Sequence, residues 1–509
     1  MKTKTLKYIG LSLLTAAFLS CDSDVENFRL QEQEVLPPLD AGTADFSNYV
    51  SIGPSFTAGI TDNGLFIAAQ ENSFPNILAN AFANAGGGAF NQPLMNDNFG
   101  GLALNGTRIS DPRLVFGGAG PVPLEAVIGP VTVTTDIVLN NPIGPFNNLG
   151  VPGAQSADFI TPGYGNIANL GSGANAYAIR MTGNAPNATI LELAVAQNPT
   201  FFTADLIGGN DVLGYATQGG DSNLSAITPP SEFESNFNTI IDGLTANGAK
   251  GAVTNIPYVS SLPYFTTVGY DVIPLDQATA DILNSPAAYG AYNAGVAQVL
   301  GQLVLFGQIS QEIADAELAK RTISFSAGTN NAVVIVDESL IDLTGFDPGL
   351  ISMRQATAAD LVTLPAAGII GTEAEPGNPL SINGVGVPLA DRWVLTPEEQ
   401  QDIVTAVDAY NATIQSVANA KGLAYVDVNS ILTEASTVGI NFDDYNLNAD
   451  LVFGGLVSLD GIHLTARGYA YMANAFLEAI DETYSSNFKA SGNFAKAGDY
   501  PTNYSPALQ

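Results

Sequence analysis

Phe201-Phe202-Thr203-Ala204-Asp205-Leu206-Ile207-Gly208-Gly209-Asn210-Asp211 reads as a buried strand running into a glycine-rich turn. The apolar run has the length of a strand, and the paired glycines free the backbone to turn sharply. Just upstream, residues 188–197 place Ile190, Leu191, Ala194 and Val195 at helical spacing and stop at Asn198-Pro199. Helix followed by strand is the rhythm of an α/β fold with a parallel sheet. It recurs at 233–247 with 252–256, and at 397–421 with 424–428. Thr396-Pro397-Glu398-Glu399 marks a helix start, with Thr as cap, Pro at the first position and Glu at the third. Nearer the N-terminus, Phe46 to Gly53 is a short β-prone run that stops at Gly-Pro. Asn147 to Ser156 gives a strand-to-turn signal in which Gly153 can aim a free N–H.

Two stretches interrupt the rhythm. Residues 72–146 are rich in Gly, Asn and Pro, with one β-like run at 131–139, and read as an insertion or lid-like layer. Residues 272–391 read as a second insertion or subdomain. A hairpin is expected there between 323–326 and 332–336, through Gly328-Thr329-Asn330-Asn331. After residue 485 the chain is polar and reads as an extended tail.

The 509 residues suit two or three domains, or one enlarged domain, and 52 Gly with 29 Pro favour the enlarged one. An apolar share of 46% supports a large core. Sixteen basic against 49 acidic residues leave a net charge of −33, too little Lys and Arg to engage nucleic acid. The same imbalance argues against electrostatic docking on anionic lipid.

Residues 1–20 have a signal sequence's basic start and short apolar run. They lead through Ala17-Phe18-Leu19-Ser20 to Cys21, the only cysteine, in a stretch that resembles the lipobox of bacterial lipoproteins. The resemblance implies lipidation at Cys21 and an exported protein anchored to a bacterial membrane, at the periplasmic face of the outer membrane or the cell surface. Residues 21–44 read as an acidic tether and 45–509 as the folded domain with its two insertions.

The only histidine, His463, stands in Ser458-Leu459-Asp460-Gly461-Ile462-His463-Leu464-Thr465, before a helix whose Tyr469, Met472, Ala473, Phe476 and Ile480 form a core stripe. Any imidazole chemistry must happen at His463. Asp460, three residues earlier, can accept from the ring and hold its tautomer; the plainer alternative is a capping Asp beside an ordinary His. A nucleophile at a strand's carboxyl end would complete the set, and Ser55 follows such a strand.

Four blocks together resemble the SGNH, or GDSL-like, hydrolase family. They are Gly53-Pro54-Ser55-Phe56-Thr57-Ala58-Gly59, Asn148-Leu149-Gly150-Val151-Pro152-Gly153-Ala154, Ile207-Gly208-Gly209-Asn210-Asp211, and Asp460-Gly461-Ile462-His463-Leu464-Thr465. The resemblance spans the scaffold from about Phe46 to Thr483 and leaves out both insertions. It implies a flavodoxin-like three-layer α/β/α sandwich that hydrolyses carboxylic esters without a cofactor or metal. Ser55 would be nucleophile, His463 base and then acid, and Asp460 the orienting carboxylate. The oxyanion hole would comprise the N–H groups of Ser55 and Gly153 and the Asn210 amide. Pro54 departs from the family's usual Gly-Asp-Ser. Three readings stay open: a lipolytic esterase, a carbohydrate (acetyl) esterase, and a non-catalytic surface binding lipoprotein that keeps the fold. Phe56, Phe66, Phe74, Tyr258, Tyr264 and Phe265 suit lipid or glycan partners, or core packing.

Overall fold

The computed structural model describes residues 36–378 and 380–508. The signal sequence, Cys21 and the first part of the tether lie outside them. Five strands form the central sheet: β1 (Tyr49–Gly53), β2 (Asn148–Gly150), β3 (Phe201–Ala204), β4 (Lys250–Thr254) and β5 (Ala424–Val426). All neighbours pair in parallel, in the order β5-β4-β3-β1-β2. The scaffold helices are α1 (Ser55–Ala58), α2 (Phe74–Asn84), α3 (Ile190–Val195), α4 (Asn210–Thr217), α5 (Pro230–Thr245), α6 (Pro397–Lys421), α7 (Val428–Thr437) and α8 (Ala466–Tyr484).

Strand side chains alternate between faces, and both faces are covered, as a parallel sheet requires. Val50, Ile52, Phe202, Ala204 and Val253 join Phe233, Phe237, Ile240 of α5 and Ile403, Val407, Tyr410 of α6 in one core. Tyr49, Phe201, Ala252, Ala424 and Val426 face the other way, against Phe82 of α2 and Phe476, Leu477, Ile480 of α8. Each such large side chain contributes about 1.5–3 kcal/mol on burial. The expected start of α6 is present: Thr396 and Glu399 exchange bonds in a capping box, the Thr396 N–H donating to the Glu399 carboxylate at 2.6 Å.

Several expectations need correction. Phe74–Asn84, assigned to the first insertion, is a core helix whose Phe74 ring stacks on Phe476 at 5.0 Å. The run at 131–139 makes only a single bridge, Asp136 to Ala103. The hairpin at 323–336 does not form. Gly328–Asn331 pairs instead with Ile273–Leu275, and Val334–Val336 with Met353–Gln355. Residues 323 and 325 cannot pair as a strand because Asn293 and Asn284 side chains accept their N–H groups. The second insertion has its own core, from Ile273 to Val394, around helices Tyr289–Leu305 and Gln311–Arg321. The C-terminal tail is docked: Phe488 and Ala497 are fully buried. Nor is the described end of the tether free, since the Thr43 N–H donates to the Tyr484 carbonyl at 2.8 Å and the Asp40 N–H to Asn487 at 2.7 Å.

The sheet's carboxyl edge is drawn tight by glycine. Gly53 pairs with Gly150, and a Cβ on Gly150 would stand 2.2 Å from the Ala58 nitrogen and 2.6 Å from the Thr57 carbonyl carbon. Gly150→Ala should therefore push α1 from the sheet and destabilise the fold by about 1–3 kcal/mol in urea unfolding. A change below about 0.5 kcal/mol would mean that α1 yields freely, and that its position is not set by this contact.

Candidate active site

Ser55 begins α1 immediately beyond β1, so its N–H has no acceptor within the helix. Its hydroxyl lies 2.8 Å from His463 Nε2, and His463 Nδ1 lies 2.8 Å from Asp460 Oδ2. With Nδ1–H donating to the carboxylate, Nε2 carries a lone pair toward the Ser55 hydroxyl, which donates to it. Ser55 is 6% exposed and Asp460 8%, so the line of bonds is largely shielded from water.

Asp460 is held from every side. Oδ1 accepts the N–H groups of Ile462 and His463 at 2.9 Å and the Ser458 hydroxyl at 3.1 Å; Oδ2 also accepts the Asn63 N–H at 2.8 Å. Burial alone would raise its pKa, but the charge and ring N–H of His463 and these backbone bonds outweigh it and hold it well below the usual carboxylate range.

The Asn63 contact went unnoticed in the sequence. Thr61 and Gly64 bond each other in both directions, while Asp62 and Asn63 take φ of 53° and 59°, a turn of type I′. The turn aims the Asp62 N–H at the Ser458 hydroxyl (3.0 Å) and the Asn63 N–H at Asp460. Asn63-Gly64 is the sequence signal that could have found it. The Tyr469 hydroxyl of α8 then ties this segment to the histidine side by donating to the Ile60 carbonyl at 2.6 Å.

Gly153 and Asn210 reach the same edge but make no bond to Ser55. The Val151 N–H donates to the Gly53 carbonyl at 2.9 Å, which seats the following turn beside the serine's strand. Gly153, at the exposed tip of that turn, takes φ of 81°, a region that favours glycine. One Asn210 amide hydrogen goes to the Ala154 carbonyl at 2.9 Å, so the Asn210 side chain is fixed against the Gly153 turn. Asp211 braces the same contact by accepting the Ser156 N–H (2.8 Å) and hydroxyl (2.6 Å). Of the aromatics singled out in the sequence, Phe66, Phe74 and Phe265 are core residues, while Phe56, Tyr258 and Tyr264 are half-buried. The Phe56 ring centre lies 5.3 Å from that of His463.

Cavity size does not choose this site. The larger hollow of about 570 Å³ between α7, α8 and the C-terminal segment is lined by Glu478, Glu482 and Lys489, and by neither Ser55 nor His463. Among the described residues one trio could hold a cation, Glu338, Asp391 and Glu399, at the junction of the second insertion with α6. Burial and mutual repulsion push Asp391 up to about 8 and Glu399 to about 7.

Comparison with known proteins returned no matching family model, no matching curated protein and no matching solved structure.

Two further buried carboxyls flank the site. Asp205, one residue past β3, receives the Thr57 hydroxyl at 3.2 Å and the Thr254 hydroxyl at 3.4 Å, and burial pushes it up to about 7. Burial likewise pushes Asp62 to about 7, against the opposing pull of the Leu459 N–H. An unfolded Asp ionises near 3.9, as a general value for the free side chain. Between about pH 4 and pH 7 the unfolded chain thus releases protons that the folded chain keeps. Stability from these groups is full below about pH 4 and is lost as pH rises through about 7. Asp205→Asn should lessen that fall, measured as unfolding free energy at pH 5 and pH 8. An equal fall in both proteins would mean that Asp205 is ionised in the native state.

Proposed function

We propose that this chain is a serine hydrolase of carboxylic esters, of the SGNH or GDSL-like type, on a flavodoxin-like three-layer α/β/α sandwich. The observation that carries the reading is the unbroken line Asp460–His463–Ser55, joined by two bonds of 2.8 Å across 408 positions of sequence. The strand order, which is 2-1-3-4-5 in chain numbering, supports it: this is the order of flavodoxin-like sheets, whose sites lie beyond the strands' carboxyl ends.

In this mechanism the Ser55 oxygen attacks the ester carbonyl carbon while His463 Nε2 takes its proton. Asp460 stabilises the imidazolium without itself taking a proton. The carbonyl oxygen gathers negative charge and is met by the Ser55 and Gly153 N–H groups and the second Asn210 amide hydrogen. Each such donor is worth about 2.7–4 kcal/mol of barrier. His463 then protonates the departing alcohol. Water, deprotonated by the same nitrogen, attacks the acyl-serine and releases the acid and free Ser55. No step calls on a metal or cofactor. Binding alone, as in a non-catalytic surface lipoprotein, needs no such relay. Cys21 would carry the lipid anchor that holds the exported domain to a bacterial membrane.

The test is covalent labelling by a fluorophosphonate together with turnover of p-nitrophenyl esters. Wild-type protein lacking residues 1–21 should label and turn over. Ser55→Ala should lose the label and about 10⁴-fold or more in kcat. An unlabelled, inactive wild type would favour the binding lipoprotein, and equal labelling of both proteins would remove Ser55 from the role.

A further inference from the structure

A second cavity, of about 60 Å³, lies against the residues that flank the serine and histidine. Its wall includes Phe56, next to Ser55, and Ile462 and Leu464, on either side of His463. Leu206 closes it from the turn two residues past β3, where the backbone takes φ of 44°, and Leu432 of α7 and Met472 of α8 line it further. No ionisable side chain other than Tyr471 lines it. Such apolar walls favour an apolar guest.

We propose that this cavity is the acyl slot of the ester site and takes a propionyl- or butyryl-sized chain. The inference rests on the esterase reading above and narrows its substrate to short-chain acyl esters. Proximity is the first support: Phe56, a wall residue, has its ring centre 5.3 Å from that of His463, which sets the cavity beside the base. Size is the second. A dry cavity of about 150 Å³ holds a benzene ring of six carbons, so 60 Å³ holds about two or three. With the carbonyl carbon outside at Ser55, that corresponds to an acyl group of three or four carbons. Longer chains would have to displace Leu432 and Met472, both buried among packed neighbours. The alcohol half of the ester is left on the open side, where the Gly153 turn is exposed.

Each methylene moved from water into such walls gains about fourfold in kcat/KM. Wild-type protein should therefore prefer p-nitrophenyl butyrate to the acetate by about 15-fold, with the octanoate below the butyrate. Two half-buried wall residues outside the catalytic set make the test, Val428 and Ile431. Val428→Phe should narrow the slot and bring the butyrate-to-acetate ratio to about one. Ile431→Ala should lengthen the slot and move the optimum up by one or two carbons. A ratio and an optimum unmoved by both variants would overturn the slot while leaving the esterase intact. If wild-type protein turns over no ester, the esterase reading has failed and the slot falls with it.

Discussion

The close approach of three backbones at the sheet's carboxyl edge is the constraint on which the site depends. β1, β2 and the first turn of α1 meet where Gly53 and Gly150 leave no room for a side chain; a Cβ on Gly53 would stand 2.2 Å from the Thr57 hydroxyl and 2.6 Å from the Asp205 carbonyl. Because α1 can sit this close, the serine is presented at the very end of β1, with the Gly153 turn alongside. A longer strand-to-helix connection would let the hydroxyl wander by several ångströms. Positioning at that scale decides whether a base 2.8 Å away can take a proton.

Charge at the site is sorted by hydrogen bonding more than by burial. Asp460, Asp205 and Asp62 are all at most 8% exposed, yet only Asp460 collects five donors, three of them backbone N–H groups. It stays ionised, and its charge is directed at one imidazole. Asp205 has two hydroxyls, and Asp62 has one weak backbone bond with its Oδ2 left without a hydrogen-bond partner among the described residues. Both favour the neutral form until pH approaches 7. Below about pH 7 the site therefore holds one negative charge beneath the histidine rather than three competing ones. That matters in a chain of net charge −33, where stray carboxylates are plentiful.

Much of this arrangement was legible in the sequence because it lies in local signals. Strand-then-glycine at 201–209, the capped start at Thr396 and a solitary histidine three residues from an aspartate are each readable within a dozen residues. What stayed hidden depended on contacts between distant segments. Residues 74–84 carry a helical stripe of Ile77, Leu78, Ala81 and Phe82, but the surrounding Gly and Asn masked it, and only packing on α8 makes it a core element. Val334–Val336 was read correctly as β-prone, yet its partner lies at 353–355, and side chains of Asn284 and Asn293 remove the local alternative. The C-terminal tail binds through single anchors such as Phe488, Ala497 and Tyr504, which have no period to detect. The turn at Asp62-Asn63 could be recognised as a turn, but its service to Asp460 could not, since those residues stand 397 apart.

Pro54 ties these points together. In the resembled family an aspartate precedes the serine; here the position is a buried proline whose carbonyl accepts the Ala58 N–H at 3.1 Å, so it closes the first turn of α1 as any residue's carbonyl would. What proline removes is a backbone N–H and a carboxylate. Neither belongs to the line of bonds from Asp460 to Ser55, and the ring's fixed φ stiffens the very joint that must hold the serine still. On the proposed mechanism, a carboxylate at that place would add a negative charge beside the attacking serine. With Pro54 there, the residue before the serine brings no carboxylate to this joint. The line of bonds from Asp460 to Ser55 therefore stands without that carboxylate.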